Sequence, residues 1–378
     1  MLDAARAPAE TSHGDSLLHV EQGTVHVLAA FDVAPYIDLA ESERLVMAGT
    51  DRKHITRKRR ALEYFEYRPA PLRIAHETEA IQVGRHGTLP TVDLVVYDFG
   101  AITVAYAIPF QGDLAELAAL SAEIYDSQLL PQAARRVVEG IIAALDGSTR
   151  GFRVADVVED YVIFHVREFD RPVTNEQLAS DHAEGIARIL RAEDGPLSAQ
   201  EVEDATSHRI AFTSSDLAVL DWNATLLYGH DMEDLRTVIE FANVQLLEMR
   251  FLDRQLDDAL EESYGMVSRR RQLFKPLLHP YRKDARRIAR LQVDAAILFE
   301  RVTNALKVFG EEYLARVYRM TATRLHLAAW DVSAIRKLGT LDSIYMKLSD
   351  ESAARRLEIL EWIIVALIAA SIALPFLT

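Results

Sequence analysis

Leu94 to Tyr106 reads LVVYDFGAITVAY, and Leu217 to Gly229 reads LAVLDWNATLLYG. Each is an apolar run, an Asp followed by an aromatic residue, a position that tolerates positive φ, then Ala and a second apolar run. That pattern predicts a β-hairpin, turned by Asp98 and Gly100 in the first stretch and by Asp221 and Asn223 in the second. A matching strand lies upstream of each, at residues 24–33 (TVHVLAAFDV) and 160–170 (DYVIFHVREFD).

The order of elements repeats as well. The first series runs strand 24–32, helix 36–48, strand 73–83, hairpin 92–108 and helices over 113–145. The second runs strand 160–168, helix 174–192, strand 208–213, hairpin 217–228 and a helix from 232. The expected fold class is α+β: tandem duplicated ferredoxin-like units at 21–150 and 151–230, packed as a pseudo-dimer. Their sheets are expected to be antiparallel, with helices on one face. Residues 1–20 read as a flexible tail, without a signal or transit peptide.

The link over 49–71 in the first unit holds a basic patch of Arg52, Lys53, Arg57, Lys58, Arg59 and Arg60. It reads either as a solvated loop or helix start, or as an anion site.

Residues 231–356 change to long helical periodicity. Ile239, Ala242, Leu246, Met249, Leu252, Leu256 and Leu260 recur at spacings of three and four. Pro276 and Pro280 break the pattern near 275–281, so a helical hairpin or coiled coil is expected, and with it a homo-oligomer. Arg269, Arg270, Arg271, Lys275, Arg282, Lys283, Arg286, Arg287 and Arg290 crowd the two sides of that break. Like charges facing each other weaken a tip. Either an anionic partner engages them (RNA, a ribosome, anionic lipid or an acidic protein), or the side chains splay into solvent.

From Trp362 to Thr378 no charged residue occurs, and Leu357, Ile359 and Leu360 lead in. Residues 357–378 therefore read as a C-terminal transmembrane anchor, with Arg355, Arg356 and Trp362 at the membrane interface. The expected location is the inner (cytoplasmic) membrane, single-pass, with the bulk of the chain in the cytoplasm. A buried core helix is the other reading of this stretch.

Composition excludes chemistry more firmly than it assigns any. The 378 residues carry 42 Lys and Arg against 57 Asp and Glu, a net charge of −15, so anion binding must be local. With no cysteine, disulfides, thiolate catalysis and Cys-ligated metals are excluded. No phosphate-cradling Gly-rich loop is present, the 12 histidines are scattered, and Asp98-Phe99-Gly100 has no kinase catalytic loop beside it. No cofactor, metal or catalytic residue is expected.

One resemblance adds to this. The stretches Leu338-Gly-Thr-Leu-Asp-Ser-Ile-Tyr-Met-Lys-Leu and Arg355-Arg-Leu-Glu-Ile-Leu-Glu-Trp-Ile-Ile-Val-Ala-Leu-Ile are similar to the end of the required-for-meiotic-nuclear-division (sporulation) family. So is Val238-Ile-Glu-Phe-Ala-Asn-Val-Gln-Leu-Leu-Glu-Met-Arg-Phe-Leu-Asp. The resemblance implies a membrane-tethered, self-associating protein with a domain of unknown function. The expected function is a non-enzymatic scaffold or tether that recruits an anionic or ribonucleoprotein partner. The alternative is a hydrolase, or an enzyme binding a nucleotide or small molecule, with its site between the two α+β units.

Overall fold

The first strand sets the frame. In the computed structural model, which describes residues 18–48, 55–58, 69–145, 152–269, 289–293, 295–297 and 312–373, strand β1 (His19–Asp32) is buried on both faces. Val25, Val27, Ala29 and Phe31 point to one apolar core, and Leu28 and Ala30 to another. A strand buried on both sides loses its polar alternation, which is why Leu28-Ala-Ala-Phe31 reads as a continuous apolar run.

The chain continues through α1 (Leu39–Ala48), β2 (Ile55–Lys58), β3 (Leu72–Glu77), the short pair β4 (Gln82–Val83) and β5 (His86–Gly87), then β6 (Thr91–Val96) and β7 (Ala101–Asp113). Helix α2 (Leu114–Asp126) opens on a capping box, in which Asp113 accepts from the Glu116 amide while Glu116 reaches back to Asp113. Then follow α3 (Leu129–Ala144), β8 (Val158–Phe169), α4 (Asn175–Asp181), α5 (Ala183–Arg191) and α6 (Ala199–Thr206). Strands β9 (Arg209–Ile210), β10 (Leu217–Leu220) and β11 (Ala224–Tyr228) lead into α7 (Glu233–Arg269), and α8 (Glu312–Arg324) and α9 (Leu327–Ala373) close the described chain.

Nine strands form one sheet in the order β2-β3-β6-β7-β1-β8-β11-β10-β9. The fold is thus mixed α+β around a large sheet in which every pairing is antiparallel except β8 with β11. Helices α2, α3 and α5 supply one core and α7, α8 and α9 the other. Helices therefore cover both faces, not the single face expected. Ala30, Ala101 and Ala105 are small buried residues on the α7 face, which lets the helix approach the sheet closely. With sheet on one side and α8 and α9 on the other, residues 237–247 of α7 are buried all round.

Both hairpins form, yet they do not repeat one another. Each second hairpin strand lies beside its own upstream strand, β7 beside β1 and β11 beside β8. The first pairing is antiparallel and the second parallel. The similar hairpin sequences encode similar turns, while the crossover through α4, α5 and α6 sets the second hairpin the opposite way round. Residues 55–58 form an edge strand on β3, where a loop or helix start was expected.

The membrane assignment is corrected by α9. Among the described residues, no helix is long and apolar enough to cross a membrane. Glu358 and Glu361 interrupt the lead-in, so the charge-free part of the described helix runs only from Trp362 to Ala373. At 1.5 Å per residue that is about 18 Å, against a hydrocarbon core of about 30 Å. A transmembrane helix, a tail-anchored protein, membrane attachment through 357–378 and inner-membrane localisation are accordingly not supported.

Candidate functional site at the end of the central strand pair

Strands β1 and β8 meet at the centre of the sheet, with Phe31 opposite Val158 and Ala30 opposite Glu159. Beyond this point both chains leave the sheet and cross. The Ala155 amide donates to the Asp32 carbonyl at 2.9 Å, and the Arg153 amide to the Val33 carbonyl at 2.8 Å. The first hairpin turn docks onto the same crossing. Val33 N–H donates to the Gly100 carbonyl at 2.8 Å and Ile37 N–H to the Asp98 carbonyl at 2.7 Å. Gly100 sits at φ +98°, and a Cβ there would lie 1.4 Å from the Ala34 carbonyl oxygen. Only glycine fits this position.

The crossing leaves a cavity of about 480 Å³ between Asp32–Pro35, Phe99, the 153–157 segment and the middle of α7, with Ile297 at its margin. That lies within the roughly 300–1,000 Å³ of small-molecule sites. Phe99, Val157, Phe251 and Leu252 give it apolar walls, and Asp32, Arg153, Asp156, Glu248, Arg254 and Asp258 its charges.

Asp32 is the distinctive group. It is 8% exposed, and among the described residues its carboxyl takes no hydrogen bond or ion pair. Burial pushes its pKa up to about 7. Glu159 lies on the same face of the neighbouring strand, diagonal to Asp32, a placement that sets Cα atoms about 7–8 Å apart. Burial raises it to about 7 too, against the pull of Arg250, whose Nη1 stands 2.5 Å from the carboxylate. A carboxyl poised near neutrality at a cavity wall can exchange a proton or pair with a ligand cation. Among the described residues, no group of three or more His, Asp or Glu is arranged to hold a metal ion.

Two other charged clusters are ion-paired within the fold, although in the second both oxygens of the buried Glu240 lack a hydrogen bond among the described residues. Asp221, in the second hairpin turn, receives Arg191 at 2.8 Å and Arg324 at 2.5 Å, and both arginines also reach Asp204. At the start of α7, Arg236 pairs with Glu233 and lies 3.7 Å from Asp93, while Arg73 donates to the Thr237 hydroxyl at 3.0 Å. Beside it His26 is pushed down to about 3, first by burial and then by Arg236. His165 Nε2 lies 2.8 Å from the Gly229 carbonyl.

The residues singled out from sequence scatter across this architecture. The Asp98 and Gly100 carbonyls hold the 33–37 segment beside the cavity, Asp221 builds the ion cluster, and the Asn223 carbonyl accepts from Val162 N–H at 3.1 Å. Of the arm-tip residues, Arg269 ends α7 and Arg290 is exposed. Arg270, Arg271, Lys275, Arg282, Lys283, Arg286 and Arg287 lie outside the described residues. Arg57 and Lys58 fall in β2, whereas Arg52, Lys53, Arg59 and Arg60 lie outside. Arg355 and Arg356 fall within α9, and Trp362 is exposed there. Asp32 and Glu159 were missed because each is one acid at the end of an apolar strand. The only signal was an Asp closing the run Leu28-Ala-Ala-Phe31.

Residues 22–234 match the family profile of "Uncharacterized protein MJ0711, N-terminal domain". The match spans the sheet from β1 to β11 and ends where α7 begins. The chain is also similar to the uncharacterized protein MJ0711 of Methanocaldococcus jannaschii, at 20% identity over 264 residues, covering 69% of this chain and 74% of that protein. No solved structure matches.

Proposed function

We propose that this chain, which belongs to the family of the MJ0711 N-terminal domain, is a small-molecule-binding protein whose site is the cavity between the β1 and β8 ends and α7. The observation that carries the reading is Asp32: a carboxyl more than nine-tenths buried, without a protein partner among the described residues, on the wall of a ligand-sized cavity. Burying a carboxyl without compensation is costly, and a ligand would supply the missing partner. Asp32, raised to about 7 by burial, also suits acid–base chemistry on that ligand.

A thermal-shift screen of metabolites and nucleotides on the full chain tests this, with an Ala155→Trp variant that fills the cavity. A saturable stabilisation absent from the variant is expected. A blank screen with the intact protein would reject the reading.

A second reading is a scaffold that self-associates, in line with the resemblance to the meiotic-nuclear-division family. Leu357, Leu360, Trp362, Ile363, Ile364, Val365, Leu367 and Ile368 are all exposed on α9, and a patch of that kind favours association. Light scattering on the full chain and on an Ile364→Lys, Leu367→Lys variant separates an oligomer from a monomer.

A further inference from the structure

We propose that the ligand is an organic cation, with an ammonium or amidinium group seated against Asp32 and an apolar body lying along Phe99 and Phe251. This inference rests on the cavity reading above and names its ligand class. Three features of the cavity argue for it.

Its charge is the first. Among the described residues four carboxyl groups line it (Asp32, Asp156, Glu248 and Asp258) against two guanidinium groups (Arg153 and Arg254), and of those acids only Asp32 is both buried and without a protein partner. The position of Asp32 is the second. It is the most enclosed of the four lining acids, fixed where the Ala155 amide holds its own carbonyl. A cation placed there forms a charge-assisted hydrogen bond shielded from water, which is stronger than one between neutral groups. The third is the wall. Phe99, Phe251, Leu252 and Val157 offer apolar surface, and an aromatic ring attracts a cation and not an anion to its face.

The charged groups that share the cavity with Asp32 are Arg153 and Asp156 from the segment before β8 and Glu248, Arg254 and Asp258 from α7, and Glu159 with its partner Arg250 lies on the same face of the neighbouring strand. Because burial holds Asp32 near neutrality, the bound cation drives its proton off, and affinity falls as pH drops. Between pH 8 and pH 6 the ionised fraction of a group titrating near 7 falls about tenfold.

The test compares three probes that share one ring and differ in the head group: phenethylamine, 2-phenylethanol and 3-phenylpropionate. Binding to the full chain is measured calorimetrically at pH 8 and pH 6, alongside Asp32→Asn and the cavity-filling Ala155→Trp. The expected result is that the amine binds about tenfold or more tightly than the alcohol, weakens about tenfold at pH 6, and loses this preference in Asp32→Asn. Equal binding of amine and alcohol, or a preference for the carboxylate, would overturn the cation while leaving the cavity reading in place, provided Ala155→Trp abolishes binding. Absence of all three, with an uncharged or anionic ligand found in the wider screen, also overturns only the cation, whereas a cationic ligand that loses affinity in Asp32→Asn supports it. If both experiments are blank, both readings fall. Asp32→Asn removes a buried charge and keeps the side chain's shape, so its fold is expected to persist, and its melting curve checks that.

Discussion

Asp221 and Arg324 stand 103 positions apart in the chain and meet at 2.5 Å, with the Asp221 carboxylate fully buried. The contact fixes α8 to the turn of the β10–β11 hairpin, and Arg191 from α5 joins it from the other side of the same carboxylate. Arg324→Met removes one partner and leaves a buried charge short of compensation, so a loss of about 3–5 kcal/mol is expected. Replacing Asp221 and Arg324 together by apolar residues should recover much of that loss. Urea unfolding of the two single variants and the double variant measures the coupling.

Tyr161 supports the same carboxylate's backbone. Its hydroxyl donates to the Asp221 carbonyl at 2.7 Å and shares a 2.8 Å contact with the Thr225 hydroxyl, deep in the sheet. Tyr161→Phe should cost about 1–2 kcal/mol without changing the fold. A loss no larger than that of an exposed substitution would show that the hydrogen bond is not needed to hold the turn.

Gly100→Ala is expected to destabilise the chain by roughly 2–4 kcal/mol, since strain at positive φ adds to a clash with backbone. The Ala34 carbonyl in its path belongs to the cavity wall. Ligand affinity should therefore fall alongside stability, whereas Gly140→Ala, where an added Cβ meets nothing within 4 Å, should leave both unchanged or better.

The pH dependence of stability separates the buried groups by sign. Asp32 and Glu159 have folded pKa values raised to about 7. The folded state thus holds extra protons between about pH 4 and 7, and stability falls as pH rises through that window. His26, lowered to about 3, acts oppositely, losing stability as pH falls from about 6.5. The melting temperature of Asp32→Asn relative to the natural chain should therefore climb from about pH 4 to pH 7 and level off above it. A flat difference would mean that Asp32 titrates in its ordinary range.

What could be read from the sequence follows the range of the forces involved. The two hairpins were legible because Asp98, Gly100, Asp221 and Asn223 act on their own neighbours. The polarity of the second hairpin was not, because it depends on how α4 to α6 cross the sheet. The α7 stripe from Ile239 to Leu260 was visible, but complete burial of residues 237–247 requires α8 and α9 above it. The anchor reading gave too little weight to Glu358 and Glu361, two charges inside an otherwise apolar lead-in. Asp32 and its cavity arise from three distant segments meeting, so no local pattern marks them.

The middle of the sheet is joined late. Strand β1, 14 residues long, takes β7 on one side and β8 on the other. A nascent chain that has made only the first half of the protein would carry β1 as a long, apolar, unpaired edge until residues 158–169 leave the ribosome. Such an edge invites pairing with other unfinished chains. Fragments that stop before Val158 should therefore aggregate, and production of the protein should depend on chaperones that guard exposed strands.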